Sequence, residues 1–234
     1  MSHELASDRP VGTEPLRRFA ATVSELSHLG TLLQTLPQIV RQLEEADPEA
    51  PELAHLHRHH FMEWPLIQAP GAYIRVTNQT VLCRVIDGFR LYVSAVIHET
   101  LKAAPRSLRD LPPAPTLWDV GRVVENRLSQ GMPALGGYIS DALGHPFPIE
   151  GDAYVEVLTA VAVRNAVIYN GGDTDAEFAL QVGLGERQSF SVDTSNVLDW
   201  IDALAHLANI IDAEFVERFQ LTTADLFPED GPVH

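Results

Sequence analysis

The sequence predicts an all-α fold, a bundle of long antiparallel helices with at most one short extended segment, and three observations carry that expectation. Residues 81–97 and 197–219 place apolar side chains at helical spacing over many turns. Only residues 188–192 alternate polar and apolar as a strand does. Capping and helix-breaking residues bound at least six helical segments.

Taken in order, residues 1–14 mix polar side chains with Pro10 and Gly12, the composition of a flexible terminus. Pro15 opens a helix in which Leu16, Phe19, Val23, Leu26 and Leu33 recur at helical spacing, with Pro37 expected to kink or split the run. A second helix begins at Pro51 and carries His55, His57, His59 and His60, so residues 15–70 read as an N-terminal helical lobe. His55 and His59 are four apart and share a face, which invites a metal reading. Glu63 is the one nearby acid of suitable spacing, and there is neither a Cys pair nor an HExxH sequence. No metal and no cofactor are therefore expected.

The main helical domain is expected over residues 77–220. Asn78 is placed to cap a helix whose Val81, Leu82, Val85, Ile86, Phe89, Tyr92, Val93, Val96 and Ile97 form a face too broad for the surface of a bundle. Residues 103–115 are a Pro-rich turn, and Thr116 with Asp119 forms a capping box for the next helix, which runs to Ser129 and ends at Gly131. A short helix follows over residues 133–143. Residues 153–163 carry Glu156 as their only charge, the composition of a helix buried on most sides. Residues 193–196 offer N-caps for the last helix, where Val197, Ile201, Leu204, Ala208, Ile211, Phe215 and Phe219 make a regular seam. Residues 221–234 read as a loose acidic tail.

At 234 residues the chain is long enough to bury a sizeable core, and its single Cys83 excludes an internal disulfide. No apolar run reaches bilayer-spanning length and residues 1–10 lack a signal pattern, so a cytoplasmic protein without a membrane partner is expected. Sixteen Lys and Arg against 32 Asp and Glu give a formal charge of −16, which opposes a broad electrostatic hold on nucleic acid. RNA, if bound, needs a local site. The same charge suits a basic protein partner.

Residues 161–172, VAVRNAVIYNGG, organise the domain. Arg164 sits in an apolar helix, so it either meets a carboxylate or faces a cleft that admits an anion. Asn170 followed by two glycines is a helix stop. The pattern Arg164-Asn165, three residues, Tyr169-Asn170 and two glycines, followed by Asp173, Asp175 and Phe178, resembles the signature of HEPN-domain proteins, with Tyr where that family has His. The similarity spans roughly residues 77–219.

That resemblance implies a homodimer with two motifs facing each other and a metal-independent endoribonuclease or its weakened descendant, of the kind that serves toxin-antitoxin or antiviral systems. By carry-over Arg164 grips phosphate, Asn165 orients the site, Tyr169 takes the acid-base position and Asn170 contacts substrate. Cleavage through a 2′-hydroxyl needs a proton carrier near neutrality, and a phenol with pKa about 10 is poorly matched to it. The alternative is a non-catalytic helical scaffold that keeps the dimer and binds a protein partner.

Overall fold

The computed structural model describes residues 10–47, 70–144, 146, 152–170 and 192–226, and over these the fold is all-α. In chain order the elements are β1 (Val11–Thr13), α1 (Glu14–Ala46), α2 (Pro70–Ala103), α3 (Leu117–Ser129), α4 (Met132–Leu143), α5 (Asp152–Asn170), α6 (Thr194–Phe219) and β2 (Thr223–Asp225). The histidines at 55–60, the residues that follow Asn170 in the motif and residues 188–191 lie outside the described residues.

α2 is the centre because its apolar residues step by both three and four and so cover a broad face, which leaves a narrow stripe through Arg84 and Leu91 for solvent. It touches α1, α3, α5 and α6. Leu82, Val85, Ile86, Phe89, Val93, Val96 and Ile97 are completely buried. Burying each such side chain stabilises the fold by about 1.5–3 kcal/mol before conformational entropy is counted. α1 lies along α2 through Phe19, whose ring stands edge-on to Phe89 and stacks on Tyr92, both at 5.9 Å. Gly88 permits that approach, since a Cβ there would come within 3.2 Å of Thr22 Cγ2. The seam of α6 packs against α2 and α5, with Trp200 and Phe215 at its buried face.

Several local expectations change. Pro37 neither breaks nor splits α1, which continues through it to Ala46; the proline is buried inside the helix, where packing outweighs the lost N–H bond. Asn78 is no cap, because α2 already begins at Pro70. Its side chain is buried instead, donating to Val192 O at 2.8 Å and accepting from Gln34 Nε2 at 3.1 Å. One amide thus joins α1, α2 and the entry to α6. Asn78→Ala is expected to cost about 1–3 kcal/mol, because the buried Val192 carbonyl loses its donor; equilibrium denaturation with urea measures it.

The capping box forms as expected, with Thr116 Oγ1 accepting from Asp119 N at 3.3 Å and Asp119 Oδ2 accepting from Thr116 N at 2.9 Å. Gly131 ends α3 as expected, its N–H donating to Leu128 O at 3.0 Å, and is at the same time the N-cap of α4; its φ of 99° turns the chain between them, a conformation glycine takes without strain.

The two terminal segments are where extended structure appears. Residues 11–13, expected to be flexible, pair antiparallel with residues 223–225 of the expected loose tail, Val11 opposite Asp225 and Thr13 opposite Thr223. The pairing is anchored from below by Asp212 of α6, which is 2% exposed. Its carboxylate accepts from Thr13 N at 2.9 Å and from the Thr13 hydroxyl, and it shares the Tyr92 hydroxyl, 3.4 Å away, with Ala208 O, to which that hydroxyl donates at 3.0 Å. Thr13 in turn caps α1 by accepting from Leu16 N.

Candidate functional site

Arg164 meets carboxylates. On α5 its guanidinium turns inward toward α2 and α3, and the residue is 3% exposed. Nη2 donates to Asp87 Oδ1 at 3.1 Å and to Glu125 Oε1 at 3.2 Å, while Nη1 donates to Asn165 Oδ1 at 3.2 Å. Nε is buried and makes no hydrogen bond. Glu125 is also approached by Arg90, whose Nε lies 3.2 Å from Oε2. Two guanidiniums and two carboxylates therefore meet where α2, α3 and α5 converge, and their charges sum to zero.

The electrostatics follow from that balance. Burial by itself would lower the pKa of Arg164, but Glu125 and Asp87 outweigh it and hold the pKa above its ordinary value. Cys83 stands nearby, half-buried; burial raises its pKa although Arg164 pulls the other way. Both the burial and the raised pKa disfavour its thiolate form.

Asn165 has work of its own. Its Nδ2 donates to Leu128 O at 3.0 Å and Ser129 O at 3.3 Å, carbonyls at the C-terminal end of α3, of which Leu128 O also accepts from Gly131 N at 3.0 Å. The Arg-Asn pair thus faces two ways, the arginine to carboxylates and the asparagine to a helix end. Tyr169, five residues after Arg164, stands at the surface, 56% exposed, and its hydroxyl donates to Glu125 Oε1 at 3.3 Å. Asn170 is the last residue of α5.

Arg164, Asn165 and Tyr169 are brought together, with Glu125 bridging the arginine and the tyrosine. Asp87, Arg90 and Glu125 had not been singled out from the sequence. A signal existed for two of them: Asp87 and Arg90 are charges within the broad apolar run of α2, and the logic that asks a buried arginine for a partner applies equally there. Glu125 follows Val123 and Val124, a local pattern that marks nothing.

Glu125 and Arg90 also border an open groove of about 970 Å³ lined by residues of α1, α2 and α3. Among the described residues no three His, Cys, Asp or Glu side chains cluster as metal ligands, and no helix is long and apolar enough to cross a membrane. Comparison with protein-family models, with curated proteins and with solved structures finds no match for this chain.

Proposed function

We propose that this chain is a non-catalytic helical scaffold of the cytoplasm that binds a protein partner. The observation that supports this reading is the closed charge balance around Arg164. An arginine serving phosphate needs donors that face solvent and charge not already neutralised. Arg164 is 3% exposed and has both Asp87 and Glu125 on Nη2. A phosphate entering there would have to displace two carboxylates and overcome their repulsion.

A second reading is an RNA-directed, HEPN-like protein, a metal-independent endoribonuclease or weakened descendant working as a homodimer in toxin-antitoxin or phage defence. What favours it is the exposed Tyr169 hydroxyl tied through Glu125 to Arg164, an arrangement that puts a proton donor at the surface beside a carboxylate. Under this reading a dimer would have to rearrange the carboxylates to free the arginine.

RNA cleavage by the wild type and by Tyr169→His separates the two. A scaffold leaves both inert on a panel of structured and single-stranded RNAs. A latent nuclease gains activity on Tyr169→His, because imidazole titrates near neutrality and phenol does not. General acid-base groups typically contribute about 10²- to 10⁴-fold, well within the reach of a fluorescent cleavage assay. Light scattering on the same samples tests the dimer that the second reading requires.

A further inference from the structure

α1 carries two apolar stripes, and only one of them is covered. The first, with Leu16, Phe19, Gly30, Pro37 and Val40, is buried against the bundle. The second is Leu29, Leu32, Leu36, Ile39 and Leu43, whose alternating steps of three and four align it along one edge of the helix over about four turns. Leu29 is 45% exposed, Leu32 57% and Ile39 41%, and Leu36 and Leu43 are half-buried. Single exposed leucines need no explanation, but residues in this register make the seam that one helix offers to another.

Residues 26–40 contain no Asp, Glu, Lys or Arg, the longest such run in a chain of formal charge −16. The next longest, residues 128–140, turns Leu128, Met132, Leu135 and Ile139 into the core, so there the lack of charge is explained by burial. Along α1 it is not. The polar side chains beside the stripe are satisfied by their own helix: Thr31 Oγ1 donates to Ser27 O at 2.9 Å, Thr35 Oγ1 to Leu32 O at 2.8 Å and His28 Nδ1 to Ser24 O at 2.7 Å. Covering this edge strands none of these donors, which removes most of the desolvation penalty that a polar rim would carry.

The missing charge also selects what can lie there. An acidic or basic partner gains no ion pair from this edge. Two copies of this chain, by contrast, repel each other everywhere that both present carboxylates, and residues 26–40 are where neither does. The stripe is its own complement. Turned antiparallel about a two-fold axis at the level of Gln34, Leu32 meets Leu36 of the second copy and Leu29 meets Ile39, so every layer of the seam closes with Leu and Ile. A parallel pair would set the two acidic ends, Glu44, Glu45 and Asp47, side by side, and the last turn of α1 has no basic residue to offset them.

We propose that α1 pairs with α1 of a second copy of this chain along this edge, as an antiparallel seam of Leu29, Leu32, Leu36 and Ile39. The pairing makes no use of the Arg164 cluster and goes beyond the scaffold reading. A seam of about 21 Å is short beside a standard interface, so the expected Kd is on the order of 10 μM.

Sedimentation velocity on the full chain from about 1 to 200 μM should show the mass rise from 25.8 kDa toward twice that value. Leu32→Glu sets a carboxylate of each copy against Leu36 of the other and should raise Kd at least about tenfold; the uncharged Ile39→Gln should act in the same direction. Both positions are exposed in the single chain, so far-UV circular dichroism should not change. Raising NaCl from about 0.05 to 0.5 M should tighten the dimer, because screening weakens the repulsion between the two bodies and the seam has no ion pair to lose. With a short bis-maleimide, Thr35→Cys should cross-link to its counterpart beside the axis. His28→Cys, about 18 Å of helix rise from its own counterpart, should not.

Monomer throughout that range overturns the proposal. A dimer indifferent to Leu32→Glu and Ile39→Gln overturns it too, since the copies then meet elsewhere, as they would with two motifs facing each other. A dimer that salt dissociates means that ion pairs hold it, and cross-linking of His28→Cys as readily as Thr35→Cys means that the helices run parallel; either result overturns the antiparallel, uncharged seam.

Discussion

Arg164→Ala is expected to destabilise the fold by about 3 kcal/mol, the low end of the range for breaking a buried ion pair. The low end applies because the carboxylates left behind, Asp87 and Glu125, keep 35% of their side-chain surface in contact with solvent and are partly rehydrated when the arginine goes. Arg90 remains beside Glu125 and offsets one of the two charges. The larger loss falls on Asp87. Chemical denaturation measures the change, and a double-mutant cycle with Asp87→Ala should show a coupling of about 0.5–3 kcal/mol, since the two side chains share a hydrogen bond.

Arg164→Met sharpens the comparison. It keeps most of the volume and loses the charge, so if the cost came from packing Met would recover most of it. The expectation is that Met recovers little while Asp87 and Glu125 remain. Combined with Asp87→Leu and Glu125→Met it should recover most, because replacing a whole buried ionic cluster with apolar side chains of similar size is often neutral. The cluster then specifies how α2, α3 and α5 meet more than it supplies net stability.

How much of this was legible in the sequence depends on how far apart the interacting residues are. The existence of α2 and α6 follows from apolar spacing that continues over five or more turns, and the capping box of α3 follows from residues three apart. Arg164 could be recognised as needing a partner. Which partner could not, since Asp87 and Glu125 lie 77 and 39 residues away and only the packing of three helices brings them in. Asn78 carried a misleading local signal: an asparagine ahead of an apolar run reads as a cap, yet its partners are Gln34 and Val192. β1 and β2 had no local signal whatever. Each is three residues long in a polar terminal segment, and their pairing depends on Asp212, which stands within the apolar seam of α6 and reads by itself as an interruption.

Asp212 gives the second large effect, and its sign is set by burial. The carboxyl is 2% exposed; burial raises its pKa, and the hydrogen bonds from the Thr13 hydroxyl, the Thr13 backbone and Tyr92 only partly oppose the rise. A group that holds its proton more tightly when folded contributes stability that is fully present below its unfolded pKa, about 3.9 for Asp. That contribution is lost as pH climbs through the folded value. Asp212→Asn is uncharged throughout, so its stability relative to wild type should rise as pH climbs above about 4. Asparagine fits the site, since its oxygen can accept from Thr13 N and its amide can donate to the Tyr92 or Thr13 hydroxyl, either of which can rotate. Asp212→Ala fits nothing. It leaves the Thr13 N–H buried without an acceptor, which costs about 1–3 kcal/mol, and unfastens β1 and with it β2 from α6. Denaturation curves for the wild type and both variants across that pH range separate the effects: the Asn curve should diverge upward from wild type, and the Ala variant should lose stability at the acid end as well. A wild-type-minus-Asn difference that stays flat with pH would mean that Asp212 titrates at its unfolded value and that water reaches it. Proteolysis near residues 11–13 and 223–225 should quicken in Asp212→Ala and stay at the wild-type rate in Asp212→Asn, because only the first of the two leaves the strand pair without its anchor.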